Sequence, residues 1–202
     1  MLLSISMLLT ASSWNGISAQ EPPDTSIAAI LASVRSLGIG NPARVILSQE
    51  GGPVAAQKID ALADSLVAIA SGFRTGGTFA DKRMAMASIS ALREAGSTLA
   101  TTRYVDAFSR LRETYERSED VGIRAATLYS MTTLPDTAAV IEHLRAVAVS
   151  GNSNAHGAVS LLNTDAGPAG VQALRELYEN RSVVEIGARL TLDAIARTRG
   201  WN

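Results

Sequence analysis

Three arginines in the C-terminal half of the chain share one local context. Arg112, Arg145 and Arg175 each follow a leucine, in the segments RLRE, EHLRA and ALRE. A guanidinium group is a planar fork of donors that can bind a carboxylate through two hydrogen bonds. If the three side chains are aligned on neighbouring helices, they predict a row that binds a protein partner or an acidic peptide. Because Glu116 and Glu179 follow two of them by four residues, a solvated face with local ion pairs is the alternative.

A second cationic candidate is the segment SGFRTGGTFADK, residues 71 to 82. Arg74 and two glycines precede a predicted helix, whose first backbone N–H groups could hold an anion. Thr78 and Asp81 also match a capping box, in which a hydroxyl and a carboxylate satisfy those same N–H groups. The segment therefore predicts either a helix cap or the anion site of a small exported binding protein or enzyme.

The other chemistry-bearing residues do not form a coherent catalytic set. His143 and His156 are thirteen residues apart on different predicted helices, without a cluster of carboxylates. We therefore expect packed or solvated histidines rather than a metal site. The segment GNSNA is similar to a nucleophile elbow, but Ser153 follows a predicted helix where the elbow requires a strand. Non-enzymatic function, without cofactor or metal, is the prediction.

The elements that must position these residues are predicted to be helices. After Pro23, apolar residues recur at helical spacing almost without interruption, and no alternating strand pattern of convincing length occurs. An internal repeat begins at residue 84, with first positions at Met84, Ile123, Asn154 and Val184. Eight places later comes a large apolar residue: Leu92, Met131, Leu162 and Leu192. A second apolar helix follows the first three, marked by Leu111, Leu144 and Leu174.

Small residues stand three and four places after each first position. These pairs are Ala87 and Ser88, Ala126 and Thr127, Gly157 and Ala158, and Gly187 and Ala188. A small side chain lets two helix backbones approach, while the large residue one turn later fills the groove between them. The spacing therefore predicts helical hairpins that bury their apolar faces against one another.

One unit carries a family resemblance. The segment DVGIRAATLYSMTTLPDTAAVIEHLRAV resembles a HEAT-type repeat, whose first helix carries Val-Arg-x-Ala-Ala-x-x-x-Leu. Ile123, Arg124, Ala126 and Met131 match that pattern, and the resemblance extends over residues 81 to 199. It implies a HEAT-like α-solenoid of stacked antiparallel hairpins, with an irregular helical bundle as the alternative.

The N-terminal residues predict export. An apolar run over residues 2 to 9 leads to a small residue, Ala19, before the polar segment QEPPD, which resembles a secretory signal peptide. The run is too short to span a bilayer, and because no Lys or Arg precedes it, a buried helix is the alternative. We expect a signal peptide at 1–19, a helical cap or degenerate repeat at 20–80 and HEAT-like repeats at 81–202.

Composition narrows the class of function. The 202 residues carry a formal net charge of −1, so no basic excess indicates nucleic acid. The absence of cysteine excludes a disulfide scaffold and thiolate metal sites. The last unit lacks a second helix, so Ile186, Leu190 and Ile195 are expected to leave an apolar edge that Trp201, a partner or a second copy covers. The sequence predicts a periplasmic or secreted protein-interaction or scaffold module.

Overall fold

The computed structural model describes residues 53–97, 106–135 and 137–201, so the predicted signal peptide and most of the predicted cap lie outside it. All regular secondary structure in these ranges is helical, which confirms the all-α prediction. The helices are α1 Pro53–Gly72, α2 Phe79–Ser97, α3 Ala107–Arg117, α4 Val121–Thr132, α5 Thr137–Val149, α6 Ala155–Thr164, α7 Gly167–Glu179 and α8 Ile186–Arg199. None of them is both long enough and apolar enough to cross a membrane.

Polar side chains and one glycine define several helix ends. Asp106 accepts a hydrogen bond from the Ser109 N–H at 3.1 Å and begins α3, which satisfies one of the free donors of the first turn. At the end of α8, Gly200 adopts a φ of 67°, a left-handed conformation that glycine reaches without steric cost. The chain then turns back, and the Trp201 N–H donates to the Ala196 carbonyl at 2.9 Å.

Helix packing follows the order of the chain. Within the described ranges, each helix packs mainly against the next helix along the chain or the one after it. Helices α2, α4, α6 and α8, the first helices of the four predicted units, contact one another in succession. Helix α1 contacts α2 and α3, and α5 contacts α7. Neighbouring hairpins therefore supply each other's core, as the repeated small residues predict.

Burial follows the predicted register at the fourth and eighth places, whereas of the small residues at the third place only Ala87 is buried, and Ala126, Gly157 and Gly187 are partly exposed. The side chain four places after each first position is fully buried, at Ser88, Thr127, Ala158 and Ala188. The large residues eight places after each first position are at most 3% exposed: Leu92, Met131, Leu162 and Leu192. The second-helix markers Leu111, Leu144 and Leu174 are buried as well. The first position itself is less uniform, because Ile123 is buried whereas Val184 is 64% exposed.

Two of the small buried residues are polar, and each is satisfied within its own helix. The Ser88 hydroxyl donates to the Met84 carbonyl at 2.9 Å, and the Thr127 hydroxyl donates to the Ile123 carbonyl at 2.8 Å. A buried hydroxyl without a partner would cost free energy, and this bond to the carbonyl four residues earlier removes that cost. Ser and Thr can therefore replace Ala at a position that requires a small side chain.

Gly170 marks a close approach of α7 to the end of α6. A methyl group at this position would overlap the carbonyl oxygen of Leu162 and lie 2.5 Å from the Cβ atom of Ala166. Gly157, on α6, provides a contrast, because no atom lies within 4 Å of the place that its Cβ would take. The two helical glycines therefore stand in opposite environments.

Substitution of these glycines tests the close packing. Gly170→Ala should lower the free energy of unfolding by about 1–3 kcal/mol, since the added methyl forces the helices apart. Gly157→Ala should raise it by about 0.5 kcal/mol, since alanine favours the helix and meets free space. Urea denaturation followed by circular dichroism measures both, and changes of equal sign would contradict this packing.

Candidate partner-binding surface

Each of the three arginines predicted to bind a partner lies on the surface in an ion pair. Arg112 and Arg175 contact Glu116 and Glu179, one turn later on the same helix, at 3.1 and 2.8 Å. The sequence offered no such partner for Arg145, which has Val149 at the equivalent place. The structure pairs it instead with Glu176 of α7, at 2.8 Å. A partner's carboxylate would have to displace these glutamates.

The loop between α1 and α2 is organised by a helix cap. The Thr78 hydroxyl accepts a hydrogen bond from the Asp81 N–H at 3.1 Å, and the Asp81 carboxylate accepts from the Thr78 N–H at 3.1 Å. The side chain of Arg74 contacts Glu119 at 3.3 Å. Protein groups therefore already accept from two of the backbone donors and pair with the arginine that an anion would use, which supports the capping interpretation over the anion site.

Asp120 joins this loop to the start of α4. Its Oδ1 atom accepts from the Ile123 N–H at 2.9 Å and caps the helix, while its Oδ2 atom accepts from the Thr75 hydroxyl at 3.0 Å. The hydrogen bond from Ile123 and, to a lesser degree, that from Thr75 lower the pKa of this carboxyl, although its burial opposes them. Asp120 is thus held in its ionised form as a structural residue.

The loops on this side of the protein contact one another in chain order. Asn152, between α5 and α6, donates to the Tyr115 hydroxyl at 3.1 Å, and Asn154 donates to the Val121 carbonyl at 3.3 Å. A Cβ atom on Gly151 would lie 3.3 Å from Val184, in the loop between α7 and α8. Successive loops are therefore stacked along one edge, which ends at Val184.

The two histidines lie in different environments. His143 is half-buried on α5, with the rings of Phe108 and Tyr115 meeting it edge-on at centroid distances of 6.1 and 5.3 Å. Burial lowers its pKa, while Glu116 opposes that shift. His156 is exposed on α6. In the part of the chain that the structure describes, no group of three or more His, Asp or Glu side chains is placed to hold a metal ion.

The most exposed apolar surface near the predicted C-terminal edge is formed by three aliphatic side chains. Val184, Ile186 and Leu190 are 61–65% exposed, and we call them the apolar strip. Ile186 and Leu190 are one turn apart, so they share a face of α8. Trp201 does not cover this strip in the described ranges, since its ring packs against Tyr178 at a centroid distance of 6.1 Å. Ile195, the third predicted edge residue, packs against the core.

An open groove lies beside the apolar strip, between the end of α7, the following loop and α8. Its volume is about 820 Å³, and we call it the terminal groove. Leu177, Val183 and Leu192 form its buried apolar surface, and the cationic side chains of Arg181 and Arg189 line it. Sequence reasoning missed this groove because it is formed by three separate segments of the chain.

Arg181 stands where a glycine is usual. Helix α7 ends at Glu179, and two residues later Arg181 adopts a φ of 50°, the only positive φ of a non-glycine residue in the described ranges. Its N–H donates to the Tyr178 carbonyl at 3.1 Å, as in a common helix ending. A side chain in this conformation costs about 1 kcal/mol relative to glycine. An arginine where a helix ending usually has glycine is therefore the sequence signal that could have indicated the groove.

Substitution of the adjacent residues Glu119 and Asp120 tests the structural role of the loops. Asp120→Ala removes both the cap and the bond to Thr75, so the free energy of unfolding should fall by about 1–2 kcal/mol. Glu119→Ala removes only an exposed ion pair and should change it by less than about 0.5 kcal/mol. Urea denaturation at neutral pH compares the two, and equal losses would refute the assigned role of Asp120.

The packing of His143 predicts a pH-dependent stability. The unfolded chain binds a proton near pH 6.5, whereas burial resists protonation in the folded chain. The free energy of unfolding should therefore fall as the pH drops below about 6.5. Carboxylates titrate mainly at lower pH, so measurements between about pH 7 and pH 5.5 report chiefly on the two histidines.

Two histidine variants complete this experiment. His143→Phe keeps an aromatic ring and should lose less stability on acidification than the wild-type protein. His156→Gln should behave like the wild-type protein, because the exposed His156 has no buried environment to lose. A pH response that follows His156 rather than His143 would contradict the prediction.

Comparison with known proteins yielded no relative and no neighbouring fold. A scan against models of protein families, a search of curated proteins and a search of solved structures found no match. The resemblance of residues 120 to 147 to a HEAT-type repeat thus remains a prediction. The proposed role of the apolar strip and the terminal groove therefore rests on their own shape, exposure and charge.

Proposed function

We propose that this protein is a non-enzymatic protein-interaction module, a HEAT-like array of stacked hairpins that binds a partner protein at its C-terminal end. The apolar strip carries the proposal. Val184, Ile186 and Leu190 are each 61–65% exposed within seven residues of the chain, and exposed aliphatic groups of this size gain free energy when a partner removes them from water.

The contrast between the two sides of α8 supports this assignment. Ala188, Leu192 and Ala196 are buried, which places one face of the helix against the array. Ile186 and Leu190 are exposed on another face of the same helix. The array thus uses one side of its last described helix for its own core and leaves apolar groups on another side, where a partner can pack.

The contacts that the other candidate side chains make within the protein also favour binding over catalysis. Arg112, Arg145 and Arg175 are in ion pairs, Arg74 contacts Glu119, and His143 is packed between two aromatic rings. Catalysis requires acids, bases or nucleophiles whose geometry faces a substrate. The proposed location, in the periplasm or outside the cell, rests on the signal peptide predicted at residues 1–19.

Site-specific photo-cross-linking tests the proposed surface. A photoreactive amino acid in place of Leu190 should capture a protein in the producing organism, since that position faces the partner. The same amino acid in place of Tyr129, which is 53% exposed on α4, is the matched control and should capture little. Ile186→Glu should abolish capture at residue 190, because a charge in the apolar strip opposes burial.

The identity of the captured protein decides between outcomes. A heterologous partner that depends on Ile186 supports the proposed module. Capture of a second copy of the chain assigns the strip to self-association instead. Equal capture at residues 129 and 190, or none at either, contradicts a binding role for the strip.

A further inference from the structure

We infer that the terminal groove recognises an acidic segment of the partner protein, in which a carboxylate stands next to an apolar side chain. This inference rests on the proposed function and adds the chemistry of the partner. It follows from the charge of the groove, its apolar surface and the backbone conformation of Arg181.

The charge of the groove favours a carboxylate. Arg181 and Arg189 line it, and neither forms an ion pair with another described residue. Two carboxylates also line it, but Glu179 is paired with Arg175 at 2.8 Å, which leaves Asp193. When Arg175 is counted with its partner Glu179, the groove and its rim carry three guanidinium groups against two carboxylates, a formal charge of +1. This distinguishes it from the row of Arg112, Arg145 and Arg175, where each cation has its anion.

The remaining surface of the groove favours an aliphatic side chain beside that carboxylate. Leu177, Val183 and Leu192 form the closed floor of the groove and are at most 4% exposed, whereas Val184, at 64%, presents the aliphatic surface that a ligand can reach. Val184 lines the groove and also belongs to the apolar strip. The two surfaces are therefore continuous, so a segment of extended chain fits them better than a small isolated anion.

The helix ending at Arg181 places a long cationic side chain at the groove. Glycine would relieve the left-handed backbone at this position, yet the chain carries a long cationic side chain there. Residues that keep a local strain are concentrated at binding and catalytic sites. The strain holds a guanidinium at the groove, where it can form two hydrogen bonds to one carboxylate.

Fluorescence anisotropy with synthetic peptides tests the inference. The probe is a labelled peptide of alternating Glu and Leu, blocked at both ends, and its control replaces each Glu with Gln. We expect the Glu peptide to bind at least about tenfold more tightly, since hydrogen bonds to charged groups are worth that much. Binding should weaken as salt is added, because the attraction is between exposed charges.

Arginine variants assign the binding to the groove. Arg181→Gly and Arg189→Gln should each weaken binding of the Glu peptide at least about tenfold. Arg197→Gln, on the same helix and outside the groove, removes the same charge and should change it by less than about twofold. Arg181→Gly should also leave the urea midpoint unchanged or raised, which separates loss of binding from loss of folding.

Several results would overturn the inference. The first is a Glu peptide that shows no saturable binding. The second is a Gln peptide that binds as tightly as the Glu peptide, and the third is unchanged affinity in both groove variants. Competition by hexanoate at concentrations similar to that of the peptide would assign the groove to a small carboxylate instead of a protein segment. Capture at Leu190 that survives both groove variants would sink the inference while the proposed function stands. Peptide binding without any capture would sink the proposed function.

Discussion

Close approach of successive helices at small buried side chains is the constraint on which the fold depends. Ser88, Thr127, Ala158 and Ala188 are fully buried on the first helices of the four units, and a larger side chain there would have to displace its neighbours. The same requirement appears at Gly170, where even one methyl group would overlap α6. The buried leucines of the described helices belong to one hydrophobic core that successive helices share.

This succession also determines where the polar groups are placed. The loops that precede α2, α4, α6 and α8 follow one another along one edge, and hydrogen bonds of Asp120, Asn152 and Asn154 join two of them to preceding segments. On the helix surfaces, the arginines of the second helices find glutamates either one turn later or on a neighbouring helix, as Arg145 does with Glu176. Side chains that are chemically able to bind a ligand are therefore mostly occupied by the protein itself.

The C-terminal end departs from this pattern. There Val184 stands at the first position of a unit but is exposed, in contrast to the buried Ile123. Arg181 keeps a backbone conformation suited to glycine, and its charge is not neutralised by another described residue. Apolar exposure, unpaired charge and local strain each reduce stability, and their occurrence together at one end is the physical basis for placing the interaction with a partner there.

The residues alone determined the helical class and the register of small and large side chains, and they offered the capping box at Thr78 and Asp81 as one of two interpretations, because helical spacing and caps depend on neighbours within a few positions. Local spacing also indicated the pairs of Arg112 and Arg175. Only the tertiary structure decided the partner of Arg145, the packing of His143 between aromatic rings and the existence of the terminal groove. Each of these depends on the distance between segments far apart in the chain, and that distance is set by how closely the helices pack.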